Sequence, residues 1–226
     1  SASASPVAIC AGGSSTLSAS GSGGTGPYTY QWIDGIVSNT ITINPMKDNT
    51  IFEENPSNSN ATGPNMVAGN NGVGFKGRAL MAFDIAGNIP AGATVNTASL
   101  QLNCSLTNGG AGAQTHFLHK LNADWGEGTS FSAQAGAGTA ATTNDATWNT
   151  RFFPGTNWIT AGGDFNAIAT ASTVVDATGL YTWTSAQMAA DIQNWVNTPA
   201  TNFGWLLKGI ESAPTQAKRY DTRENG

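Results

Sequence analysis

The chain has 226 residues, 28 of them glycine, with only 10% charged residues and a formal net charge of −5. Nine scattered Lys and Arg leave no basic stripe for nucleic acid, and no run reaches the roughly 18 apolar residues that a bilayer span requires. The 39% hydrophobic content supplies one core and argues against disorder of the main body, while the Gly, Ala, Ser, Thr and Asn richness favours an extracellular β protein over a cytosolic enzyme.

The small polar start, Ser1 to Pro6, suits a mature chain whose signal has been removed. Residues 14–20 and 28–33 read as two strands around a turn-rich 21–27, and 39–44 alternates as a third. A sandwich needs about seven strands. Residues 1–45 are therefore expected to be an incomplete β segment that packs on the main body or donates a strand to another molecule.

Residues 46–226 read as short strands divided by loops, at 79–85, 94–106, 115–121, 173–176, 180–183 and 204–210. Alternation places Ala98, Leu100, Leu102, Cys104 and Leu106 on one face of their strand, with Ser99, Gln101, Asn103 and Ser105 on the other. One short helix is predicted near 185–197: Ser185 caps it, Met188, Ile192, Trp195 and Val196 form its apolar stripe, and Pro199 lies past its end. The loop 126–163 is long and carries Phe131, Trp148, Phe152, Phe153 and Trp158. It is expected to be ordered and to host any binding function.

Chemistry-bearing residues are sparse. His116 and His119 share a strand at a spacing of three, which sends them to opposite faces and away from a common metal. Glu53 and Glu54 are neighbours in an extended segment and point apart, unlike a glycosidase pair facing across roughly 5–10 Å. The sequence holds no nucleophile triad and no phosphate loop. A non-catalytic protein is expected.

Cys10 and Cys104 belong to no CxxC or Cys/His ligand set. Two readings stand: a disulfide tying the N-terminal segment to the body, or two buried thiols, which the inward face of Cys104 favours. Asp48, Glu53, Asp84, Asp164 and Asp176 are candidate oxygen ligands for a structural Ca2+, with Asp48 the first to test. Trp148 and Trp158, with Phe152 beside Arg151, either form an exposed platform for stacking on sugar rings or pack into the core; Trp125 and Trp195 are assigned to the core.

Seven phrases recur in order along the chain. They are Lys47-Asp48-Asn49-Thr50, Arg78 to Ile85, Ile89 to Val95, Ala98 to Leu102, Asp124-Trp125-Gly126-Glu127, Ala146-Thr147-Trp148, and Arg219 to Glu224. In this arrangement the chain resembles the DNRLRE-type β-sandwich modules of secreted bacterial proteins, a group related to the carbohydrate-binding modules found beside polysaccharide-degrading enzymes. Ile9 to Gly13 followed by Tyr28 to Trp32 resembles the opening of immunoglobulin-like repeats of bacterial surface proteins.

The resemblance implies an all-β, jelly-roll-like antiparallel β-sandwich over about 47–226, in a secreted, cell-surface protein. Such modules continue past the final Arg-Glu into a closing apolar strand, and the sequence given stops at Gly226, so a sheet position is expected to be empty. The leading expectation is a structural or adhesive surface protein that assembles with copies of itself or other surface-protein domains by strand addition. The alternative is a carbohydrate-binding module with polysaccharide as its ligand.

Overall fold

A computed structural model describes residues 1–7, 14–22, 39–108, 112–134 and 136–225. The chain divides into two compact units, Ser1–Thr42 and Ile43–Gly226. In the first, strands β1 (Ala2–Ser5) and β2 (Thr16–Ala19) pair antiparallel, Ala2 opposite Ala19, and the Ser1 ammonium donates to the Ser20 carbonyl at 2.6 Å. The expected strand at 28–33 lies outside the described residues. The run 39–44 is not a strand: it leads into the second unit, whose core receives Ile43.

The second unit is an all-β antiparallel sandwich. Its front layer runs β12 (Ala171–Val175), β8 (Gln114–Lys120), β14 (Trp205–Lys208), β6 (Lys76–Phe83), β3 (Pro45–Phe52). Two short strands, β4 (Asn58–Ser59) and β9 (Thr139–Ala140), continue it past β3. The back layer runs β5 (Asn65–Asn70), β15 (Lys218–Asp221), β7 (Ser99–Thr107), β13 (Gly179–Thr184). Strands β5 and β6 pair only at Gly69–Gly77 and Asn70–Lys76, so one ladder folds into two facing layers. A separate hairpin, β10 (Thr150–Phe152) with β11 (Thr156–Asn157), lies in the long loop.

Strand β15 pairs with β5 on one side and β7 on the other, so the segment just before Arg223-Glu224 is an internal strand of the back layer.

Period-2 alternation explains the two cores. Ala79, Met81 and Phe83 of β6 and Trp205 and Leu207 of β14 point between the layers, where they meet Leu100, Leu102, Trp183 and Tyr220. The intervening Leu80, Ala82 and Leu206 point the other way, under Trp125, Trp148 and Trp158. A layer buried on both faces reads as a continuous apolar run, as Ala79 to Phe83 does.

Leu106 departs from the expected inward face and is 51% exposed. The register pairs Arg219 with Leu106 but Tyr220 with Cys104, so Ser105 is the extra residue of a bulge and the alternation inverts beyond it.

The single predicted helix is α2 (Ala186–Asn197), with the Ser185 hydroxyl accepting from the Met188 amide at 3.0 Å. A four-residue turn, α1 (Ile85–Asn88), is the other α-helical element among the described residues. Helix α2 buries Met188, Trp195 and Val196 against the inner core, with Trp195 and Trp205 centroids 4.5 Å apart. No helix among the described residues is long and apolar enough to cross a membrane.

Candidate functional site

The long loop does not present Trp148 and Trp158 to solvent. They are 7% and 5% exposed, and the Trp158 indole donates to the Thr147 carbonyl at 2.9 Å. The Arg78 guanidinium lies 4.8 Å from the Trp148 ring centroid. That guanidinium also forks onto Glu211 at 2.7 and 2.9 Å. The expectation that these two tryptophans form a sugar-stacking platform is therefore corrected. The outward apolar residues of β6 and β14 need a cover, and burying two large aromatics there is worth several kcal/mol in removed apolar surface, of order 25 cal/mol per Å2.

Phe152 and Arg151 fall elsewhere. Phe152 lines an open groove of about 410 Å3 together with Met46, Lys47, Asp124, Glu127 and Asn144. The Arg151 guanidinium sits 5.2 Å over the Phe152 ring and donates to the Asp124 carbonyl at 3.0 Å. Met46 is half exposed. On the groove floor Lys47 donates to Asp124 at 2.8 Å and to the Trp125 carbonyl, with its ammonium 4.5 Å from the Trp125 ring centroid. Gly126 has no room for a side chain: a Cβ there would lie 2.0 Å from the Asn144 carbonyl oxygen and 2.8 Å from Phe152. Asn144 adopts φ 73, a left-handed backbone that asparagine tolerates better than most residues.

Beside the groove, Asp48 of β3, Glu127 after β8, and Arg223 and Glu224 after β15 converge. Arg223 forks onto Glu127 at 2.8 and 2.6 Å, reaches Glu224 at 2.9 Å and approaches Asp48 Oδ2 at 3.8 Å. Glu127 also accepts from the Asp48 amide at 2.6 Å. Potential ligand oxygens of Asp48, Glu127 and Glu224 all lie within 4.8 Å of one another. Burial, and then the charge of Glu224, push the Asp48 carboxyl up to about 7 against the opposing pull of Arg223. Glu127 thus serves both the groove wall and this cluster.

The other proposed oxygen ligands are engaged separately. Glu53 pairs with Lys76 at 2.6 Å, and that contact holds its carboxyl below the usual range despite opposing desolvation. Asp84 caps α1 through the Gly87 amide, and Asp164 accepts from the Ile159 and Thr160 amides. At Asp176, an exposed residue, the engaged group is the backbone carbonyl, which accepts from the Lys218 ammonium at 3.1 Å. Glu54 bonds Asn71 instead of facing Glu53.

His116 and His119 do point to opposite faces of β8. His116 contacts Tyr220 through its Nδ1 at 2.9 Å inside the sandwich, and His119 meets the Asn166 carbonyl and the Phe165 ring outside it. Cys104 is a buried free thiol, raised above the usual thiol range by burial. Its proposed partner Cys10 lies outside the described residues.

Sequence reasoning missed Glu127, Arg223 and Glu224 as partners of Asp48, and Lys47, Asp124 and Asn144 as groove residues. A signal existed: Asp48, Glu127 and Arg223-Glu224 each belong to one of the seven phrases. No family model matches this chain, and no curated protein matches it.

Proposed function

We propose that this is a non-catalytic, secreted bacterial module of the DNRLRE type that acts in surface structure and adhesion by holding polysaccharide in the groove beside Phe152. The groove carries this reading. Sugar rings offer apolar C–H faces ringed by hydroxyls, so their sites combine an apolar or aromatic surface with a few fixed polar groups. Phe152 and Met46 supply the first; Asp124, Glu127 and Lys47 supply acceptors and donors held by their own ion pairs, and Asn144 adds an amide. An open groove suits a chain passing through better than a small enclosed ligand.

Affinity electrophoresis through gels containing soluble polysaccharides tests the reading, backed by a glycan array. Retardation by at least one polysaccharide is expected for the unaltered protein, and its loss in Phe152→Ala with the melting temperature unchanged. If no polysaccharide retards the protein, the reading is wrong.

A second reading, assembly through residues 1–42, is supported by one observation. The described part of that unit leaves Val7 92% and Leu17 54% exposed, and a unit of this size does not readily stabilise itself. Oligomers that vanish when residues 1–42 are deleted would favour it. A monomer by size-exclusion chromatography with light scattering would remove it.

A further inference from the structure

The cluster beside the groove contains three carboxylates and one guanidinium. Arg223 and backbone amides engage both oxygens of Glu127, one of Glu224 and, at longer range, Asp48 Oδ2. Two oxygens remain: Asp48 Oδ1 and Glu224 Oε2 are buried and have no hydrogen-bond partner. The Asp48 side chain is 1% exposed. A buried carboxylate oxygen without a partner costs free energy that water cannot return, and three negative groups around one positive group leave an excess of negative charge.

We propose that Asp48, Glu127 and Glu224 form a site for one calcium ion, anchored by Asp48 Oδ1 and Glu224 Oε2. The donor set is entirely carboxylate oxygen, which selects a hard cation. Calcium binds such oxygens at about 2.3–2.6 Å, so two ligands on opposite sides of the ion stand roughly 5 Å apart. One carboxylate oxygen from each of the three residues lies within 4.8 Å of the others. Arg223 lines up the carboxylates without using the two anchoring oxygens. Because the three acids come from β3, the segment after β8 and the segment after β15, the ion would tie three chain regions that are distant in sequence.

The site is independent of what the groove binds, and its test reads the metal directly. The full chain is stripped with EDTA, exchanged into chelator-free buffer and titrated with calcium by isothermal calorimetry. Terbium luminescence excited through tryptophan provides a second readout, since Trp125 packs against Lys47, the neighbour of Asp48. One equivalent of calcium is expected, with a Kd in the range of about 10−4 to 10−3 M common to extracellular modules. At a calcium concentration 100 times Kd the folded-to-unfolded ratio rises about 100-fold.

Asp48→Asn keeps the shape and removes a charge, and is expected to weaken calcium binding by at least about tenfold. Glu224→Gln, at a partly exposed position, is expected to do the same in a protein that stays folded. Absence of a calcium heat and of any melting shift at 10 mM, roughly ten to a hundred times that Kd, overturns the proposal. So does binding that survives both substitutions undiminished, or an equal response to magnesium, which prefers a tighter octahedron.

Discussion

His116 gives the sharpest physical test of the fold. Its ring lies in the sandwich interior with Nδ1 on the Tyr220 hydroxyl, while Nε2 is buried without a partner. Burial, reinforced by the positive charge of Lys218, lowers its pKa to about 3 from 6.5. The folded state therefore refuses a proton that the unfolded chain accepts between these two values. Stability is full above pH 6.5 and falls as pH drops through that window, by about 1.4 kcal/mol per unit once the unfolded histidine is protonated. Between pH 8 and pH 5 this amounts to about 2 kcal/mol. Asp48 acts in the opposite sense: its carboxyl, raised from 3.8 to about 7, takes up a proton on folding in that range and adds stability as pH falls. One pH curve consequently mixes the two. Urea unfolding of the unaltered protein and of His116→Asn, each at pH 8 and pH 5, separates them. The unaltered protein is expected to lose about 2 kcal/mol more than the variant on acidification. Equal losses would show that His116 is not held neutral by the core.

Trp148→Ala is expected to cost about 3–5 kcal/mol in urea unfolding, because it opens a cavity between β6 and the loop, while any polysaccharide retention proposed for the groove is expected to persist in the folded fraction. Loss of retention with full stability would place Trp148 in the binding surface instead. Glu211→Gln leaves the Arg78 guanidinium, 8% exposed, without its carboxylate, and also removes the partner of Lys208 at 3.4 Å. Breaking one side of a buried pair costs about 3–5 kcal/mol, and a melting temperature within a degree of the parent would refute that account.

Strands with clean alternation were legible: Leu100, Leu102 and Cys104 were placed inward from spacing alone, as was the stripe of α2. The polar strands were not. Strand β3 shows no apolar alternation because it carries Pro45, Asp48 and Asn49, yet Asn49 and Thr50 are fully buried. The Asn49 side-chain oxygen accepts from the Ser59 hydroxyl at 2.8 Å and the Asn60 amide at 3.0 Å. Tertiary hydrogen bonds of that kind override local propensity and leave no periodic trace. The inward turn of Trp148 and Trp158 had a readable cause in the apolar runs of β6 and β14, which demand cover on both faces. What those runs could not say is which loop supplies the cover.

The seven phrases were useful for a reason that spacing along the chain hides. Lys47-Asp48, the glutamate of Asp124 to Glu127, and Arg223-Glu224 come from three separate phrases and meet in one cluster. Arg78 and Trp148, from two others, stack on each other. Asp48 and Arg223 are 175 residues apart, so their contact exists only once β3 has joined the front layer and β15 has inserted between β5 and β7. Any stabilisation from the cluster, with or without calcium, is thus available only to the assembled sandwich. Calcium added to unfolded chain should accordingly leave the refolding rate nearly unchanged and slow unfolding, since contacts that form late stabilise the native state relative to the transition state. Refolding accelerated in proportion to the gain in stability would mean that the cluster forms early, and that β3 and the segment after β15 meet before the sheets close.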